Sequence, residues 1–291
     1  ALDRFRKEAA RSGRVDEDVL KDTTENLLHD LRLIDTQTNR PTRAALLLFH
    51  PDPERFVTGA YIKIGFFRDD KGNLEFQDEV HGSLMEQVDK AMDLIKTKYL
   101  IYRISYEGIS RRETPQFPVE AIRESLMNCV AHKDYASAVP IQISVFPDHI
   151  TFWNAGQLPE SWTTEKLFES HPSSPYNPLI ANAFFRSGDI ESWGRGIQKI
   201  IDACKNLGAD DQEYIVSGGD IMVKFTALQS AKVPDSKAPK GHDEPLKEPM
   251  EEPLEEKILQ VLRHIPNCTY DELTEALGVS CSTVKKSIKQ L

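Results

Sequence analysis

The stretch Pro118-Val119-Glu120-Ala121-Ile122-Arg123-Glu124-Ser125-Leu126-Met127-Asn128-Cys129-Val130-Ala131-His132 decides how the chain is read. A proline at its start suits the first turn of a helix, where a missing N–H loses no partner. Val119, Ile122, Leu126, Cys129 and Val130 recur at spacings of three and four and mark an apolar helix face. Glu124, Asn128 and His132 follow at intervals of four, so at ~100° per residue they stack along a single stripe. One reading of that stripe is a solvated helix face. The other is a ligand site, because a carboxylate beside an amide oxygen can hold magnesium and orient a water for attack on phosphate. On that reading Glu124 is the candidate general base, Asn128 the candidate magnesium ligand, and His132 extends the binding stripe.

Downstream, Ile141 to Phe146 and His149 to Trp153 alternate around Pro147-Asp148, which predicts a hairpin. It leads into Asn154-Ala155-Gly156, a loop whose glycine lets backbone approach a ligand. A helix is expected over Asn177 to Phe185. Trp193-Gly194-Arg195-Gly196-Ile197 then enters another helix ending near Leu207. Glycines ahead of a helix expose its first amides and its positive dipole end, a setting for phosphate. Tyr214 to Ser217 and Ile221 to Leu228, joined by Gly218-Gly219, predict a second hairpin.

This order of elements resembles the ATP-binding domain shared by DNA gyrase, histidine kinases and mismatch-repair ATPases. Glu124-x-x-x-Asn128 resembles the motif whose glutamate activates water and whose asparagine binds magnesium. Asn154-x-Gly156 stands where that superfamily has an adenine-reading aspartate-x-glycine, and Gly194-Arg195-Gly196 resembles the glycine motif of its nucleotide lid. The wording Ala121-Ile122-Arg123-Glu124-Ser125-Leu126-Met127-Asn128, continuing to Ala131-His132-Lys133-Asp134-Tyr135, is similar to a narrower group over about residues 10–228. These are bacterial transcriptional regulators, sometimes labelled RecG-like, with a Schlafen/Alba-type domain before a degenerate ATPase-like domain and a winged helix after it. The resemblance implies ATP and magnesium as cofactors. Its nucleotide-binding residues would be Asn128, His132, Asn154, Gly156, Gly194, Arg195 and Gly196. It also implies that part of the Schlafen/Alba-type domain and the wing fall outside the chain. No G-x-x-x-x-G-K-[ST] occurs, so a helicase motor is not expected.

Upstream, a helix is expected over residues 14–31, and Ala44 to Phe49 is strand or helix by period alone. Tyr61 to Phe67 alternates as a strand, Asp69 to Asn73 reads as a turn, residues 82–98 as a helix, and Tyr99 to Tyr106 as a strand. At roughly 100–200 residues per domain, 291 residues suit two domains or three. With 40% hydrophobic and 28% charged residues the chain is globular, which excludes wholesale disorder and a coiled coil. Its longest apolar run, Ala44 to Phe49, falls far short of the ~20 residues of a membrane span. Without a secretory signal pattern, and with Cys129, Cys204, Cys268 and Cys281 scattered, a reducing cytoplasm is expected. The net charge of −10 confines any DNA binding to a local patch.

Such a patch is expected at the C-terminus. Pro234, Pro239, Pro245, Pro249 and Pro253 mark residues 229–253 as an extended linker. Residues 254–291 then read as three helices. Thr269-x-x-Glu272 forms a capping box, and Gly278-Val279-Ser280 turns into the last helix. Ser282, Thr283, Lys285, Lys286 and Lys289 lie on that helix's outward side, the pattern of a helix-turn-helix recognition element. A three-helix protein-interaction unit is the alternative.

The expected fold is therefore α+β: a two-layer α/β sandwich resembling the gyrase/histidine-kinase ATPase, plus a small all-α helix-turn-helix module. Its parts are an α/β region over 1–115, the ATPase-like domain over 116–228, the linker, and the DNA-binding module. The expected function is transcriptional regulation, with DNA and a nucleotide as partners, no membrane, and a homodimer as the form a tethered module favours. Slow magnesium-dependent ATP hydrolysis and a ligand-free dimerisation scaffold are the alternatives.

Overall fold

A computed structural model describes residues 1–228, apart from Lys71, Ser192 and Trp193, together with Thr274. The chain divides into two units, Ala1–Ala238 and Pro239–Leu291. The expected linker and the helix-turn-helix, with Ser282, Thr283, Lys285, Lys286 and Lys289, lie outside the described residues.

The first unit opens with α1 (Leu2–Ser12), α2 (Glu17–Lys21) and α3 (Thr24–Asp30). The single helix expected over 14–31 is interrupted because Asp22 and Thr23 cap a new start. The Asp22 carboxylate accepts the Thr23 amide at 2.6 Å, and Thr23 Oγ1 accepts the Asn26 amide at 3.2 Å. A short ladder, β1 (Ile34–Asp35) with β2 (Arg40–Pro41), precedes α4 (Arg43–Phe49). Thr42 caps α4 through the Ala45 amide, which resolves the ambiguous apolar run as helix.

Next come β3 (Ile62–Phe67), β4 (Leu74–Val80) and α5 (Leu84–Leu94), the last continuing as a π-helical turn over Ile95–Tyr99. The strand expected from Tyr99 therefore starts later, as β5 (Tyr102–Glu107), paired with β6 (Ser110–Pro115). Tyr99 instead turns inward, its hydroxyl 2.5 Å from Asp78 Oδ2. The remaining elements are α6 (Val119–His132), β7 (Ile141–Val145), β8 (His149–Ala155), α7 (Pro178–Arg186), α8 (Gly196–Leu207), β9 (Glu213–Ser217) and β10 (Asp220–Thr226).

Six strands form one mixed sheet in the order β4-β3-β7-β8-β10-β9, with β3 and β7 parallel and the other neighbours antiparallel. The register lines up Ile64, Ile143, Phe152 and Val223 across four strands, and Phe66, Val145, Ile150 and Phe225 in the next row. All eight side chains are buried. Gln142, next to the Ile143 row on β7, is exposed, as expected of a sheet with one face turned to a core. α5 packs on β3 and β4, and α6 packs on β8 and α8. This helical layer over a mixed sheet fits an α/β ATPase-like fold. The sheet crosses residue 115, because β3 and β4 precede that point and extend the hairpins that follow it.

Candidate functional site

The stripe on α6 does not face bulk solvent. Glu124, Asn128 and His132 line a cavity of about 1090 Å³, counting its open mouth. Phe152 and Asn154 of β8, Val223 of β10, Tyr214 of β9 and the start of α8 supply the other walls. A cover comes from the loop between β8 and α7, through Trp162, Leu167 and His171.

The end of α6 is fixed by two side chains, Asn177 and Lys133, whose local sequence carries no sign of that role. Asn177 Nδ2 donates to the carbonyls of Ala131 and Lys133 at 3.1 and 2.7 Å, so the first residue before α7 caps the last turn of α6. Lys133 is buried and donates to the carbonyls of Asp134, Ser137 and Val139 at 3.1, 3.2 and 2.7 Å, folding the link to β7 around one ammonium. Burial holds that ammonium below the usual lysine range.

The glycine segment before α8 is braced by Asp189. Arg4 of α1 reaches its carboxylate at 3.2 Å, Arg123 of α6 at 3.2 Å, and Ser187 Oγ at 2.6 Å. Arg123 also donates to the Asp189 carbonyl at 3.0 Å. Gly194 has φ +67°, and an added Cβ would lie 2.2 Å from the His171 carbonyl oxygen, so only glycine fits between this turn and the cover loop. At Gly196 an added Cβ would meet Glu124 Oε1 at 2.6 Å and Asn128 Nδ2 at 3.6 Å. The first residue of α8 thus sits against the carboxylate–amide pair. Among the described residues no side chain caps α8, which leaves its first amides available to a ligand, with Arg195 beside them in the lining.

The electrostatics follow from this packing. Burial raises the Glu124 carboxyl above the usual range, offset by Lys199 and Arg123 and reinforced by Glu191. Burial pushes His132 down to about 4, with His171 adding to the effect. The Cys129 thiol is driven up to about 12 and the Tyr214 hydroxyl is also raised, both by burial. The inner walls are therefore neutral and partly apolar, while charge concentrates near Glu124, Glu191 and Arg195.

Of the sequence-proposed residues, Glu124, Asn128, His132, Asn154, Gly194, Arg195 and Gly196 all line this cavity. Gly156 lies beside it and is not in the lining. Its amide donates to the Gly219 carbonyl at 2.7 Å, and an added Cβ would meet the His132 carbonyl oxygen at 2.8 Å. Trp162, His171 and Tyr214 were not singled out. Trp162 and His171 belong to a segment without periodicity, and Tyr214 reads as an ordinary strand residue. His171 contacts Trp162 edge-on at 4.4 Å.

Residues 139–225 match a protein family described as "Putative ATP-dependent DNA helicase recG C-terminal". The match includes Asn154, Gly156 and the Gly194–Gly196 segment and begins beyond α6, so Glu124 and Asn128 precede it. No curated protein matches the chain. Among solved structures, the DIP2311 protein from Corynebacterium diphtheriae is similar, with a TM-score of 0.64 at 17% identity. That similarity covers 99% of this chain and 56% of the other, so the chain spans little more than half the length of its structural relative. At this identity the likeness is one of fold. No helix among the described residues is long and apolar enough to cross a membrane.

Proposed function

We propose that the chain is a nucleotide-binding transcriptional regulator, with ATP and magnesium in the cavity and DNA on the C-terminal module. The reading rests on the convergence of Glu124, Asn128, His132, Asn154, Gly194, Arg195 and Gly196, drawn from three separate stretches, on one cavity. The open amides of α8 and Arg195 suit phosphates. Phe152, Val223 and Asn154 suit a flat ring with polar edges. Among the described residues no group of three or more His, Cys, Asp or Glu could hold a metal ion. The donors present, Glu124 and Asn128, instead fit a magnesium ion that keeps waters and phosphate oxygens as its other ligands. Such an ion would neutralise phosphate charge that otherwise faces Glu124. DNA binding rests on Ser282, Thr283, Lys285, Lys286 and Lys289.

Slow ATP hydrolysis is the second reading, favoured by the raised Glu124 carboxyl, since a more basic carboxylate is a better acceptor for a water proton. The water oxygen would bond to the terminal phosphorus, the bond to the leaving diphosphate would break, and Glu124 would take the proton. Glu124→Gln should then stop phosphate release and leave nucleotide binding intact.

A thermal-shift titration with ATP and ADP, each with and without magnesium, tests the first reading. A ligand at a hundredfold excess over its dissociation constant stabilises the folded state by about 2.7 kcal/mol. A rise that depends on magnesium and disappears in Asn128→Ala is the expected result. The absence of any shift at millimolar nucleotide would overturn it.

A further inference from the structure

We propose that the β5–β6 ribbon is a contact surface between two copies of this chain. Among the described residues β5 and β6 pair only with each other. Exposed residues occupy both faces: Ile104, Tyr106, Arg111 and Glu113 on one, Arg103, Ser105, Ser110 and Arg112 on the other. Tyr102 packs the base of the ribbon against the core, but from Arg103 to Glu113 the described side chains of both faces are exposed, and a two-stranded ribbon open in this way is marginal in water. This one also presents Ile104 at 50% exposure, Tyr106 at 71% and Ile109, at the turn, at 102%. Bulky apolar residues gathered on one projecting element mark a surface that another molecule covers.

The ribbon's charges indicate what that molecule is. Arg111 already pairs with Glu113 at 2.7 Å, and Arg103 and Arg112 are engaged within the chain, so its cations do not stand ready for phosphates. A fitting partner offers apolar side chains and both signs of charge, and the ribbon itself has this composition. Pairing places Ile104 opposite Glu113 and Tyr106 opposite Arg111 on the same face. A two-fold axis lying across the strands, midway between these rows, stacks Ile104 on the partner's Tyr106 and Glu113 on the partner's Arg111, each contact made twice. A self-complementary patch of this kind closes a dimer and leaves no open end. The inference does not depend on nucleotide binding.

Sedimentation velocity of the full chain over a wide range of concentration tests the proposal. The wild type should pass from monomer to dimer as concentration rises. Tyr106→Lys should remain monomeric. Arg111→Glu and Glu113→Arg should each abolish the dimer by setting like charges together, while the double variant Arg111→Glu/Glu113→Arg should restore it. Because these side chains are exposed, circular dichroism and melting temperature, taken at a concentration where the wild type is monomeric, should match wild type in every variant. A wild-type chain that stays monomeric, or a dimer indifferent to these changes, would overturn the proposal, as would failure of the double variant to recover association.

Discussion

At the scale of single residues, the cavity is set by side chains whose surroundings alter their chemistry. His132 shows this most clearly, because burial holds its imidazole near 4 while an exposed histidine in the unfolded chain titrates near ~6.5. Between those values the unfolded chain binds more protons, so stability should fall as pH drops from about 6.5 toward 4. Glu124 acts in the opposite sense, since its raised carboxyl takes up a proton in the folded state first and favours folding on acidification. His132 is the larger effect, at most about 3 kcal/mol. Denaturant melts from pH 4.5 to 7.5 should show a loss on acidification that is clearly smaller in His132→Gln. An equal loss in both proteins would assign the pH dependence elsewhere. In sequence, His132 was legible as a member of the Glu124–Asn128 stripe. Its neutrality was not, because that depends on His171 and the cover loop, which lie about forty residues away.

At the scale of elements, the glycine segment and α8 depend on α1. Arg4 bridges Asp89 of α5 and Asp189, and Arg14, just beyond α1, donates to the carbonyls of Phe185 and Ile190 at 2.8 and 2.6 Å. Asp189→Ala would leave Arg4 and Arg123 facing each other without their shared carboxylate. The expected cost is about 3 kcal/mol, in the range for breaking a partly buried charge cluster. Any nucleotide shift should also weaken, because the Gly194–Gly196 turn loses its brace. Chemical denaturation, paired with the nucleotide titration, would reveal a variant that behaves like wild type and so count against the brace. Asp189 sits in plain view between Gly188 and Ile190, yet its local sequence shows only a loop. Its three partners come from α1, α6 and the turn after α7.

At the scale of the whole first unit, the sheet joins the expected 1–115 region to the expected ATPase-like region over 116–228. β3 is the parallel neighbour of β7, and Ile62, Ile64 and Phe66 pack in register with Ile141, Ile143 and Val145. A fragment of residues 116–228 would expose that edge of β7 and lose α5 and α1 from the core, although it contains the whole family match. It should be largely unfolded by circular dichroism and rapidly cut by protease, whereas residues 1–228 should melt in one transition. A fragment that folds alone would show that β3 and β4 are an accessory to the sheet.

Sequence by itself determined the periodic elements: α6 with its stripe, the β7–β8 and β9–β10 hairpins, α7, and the glycine entry to α8. Each is written in neighbouring residues, through spacings of two or of three and four, or through turn glycines. It also singled out several residues that line the cavity, because Glu124, Asn128 and the glycines Gly194 and Gly196 carry local signatures. Only the tertiary structure decided that Gly156 stands outside the lining, that Lys133 and Asn177 hold the end of α6, and that the sheet runs on across residue 115. Those outcomes depend on contacts between residues tens of positions apart. Such contacts form when burial of a shared face outweighs the entropy of closing the intervening chain, and no local pattern records that balance.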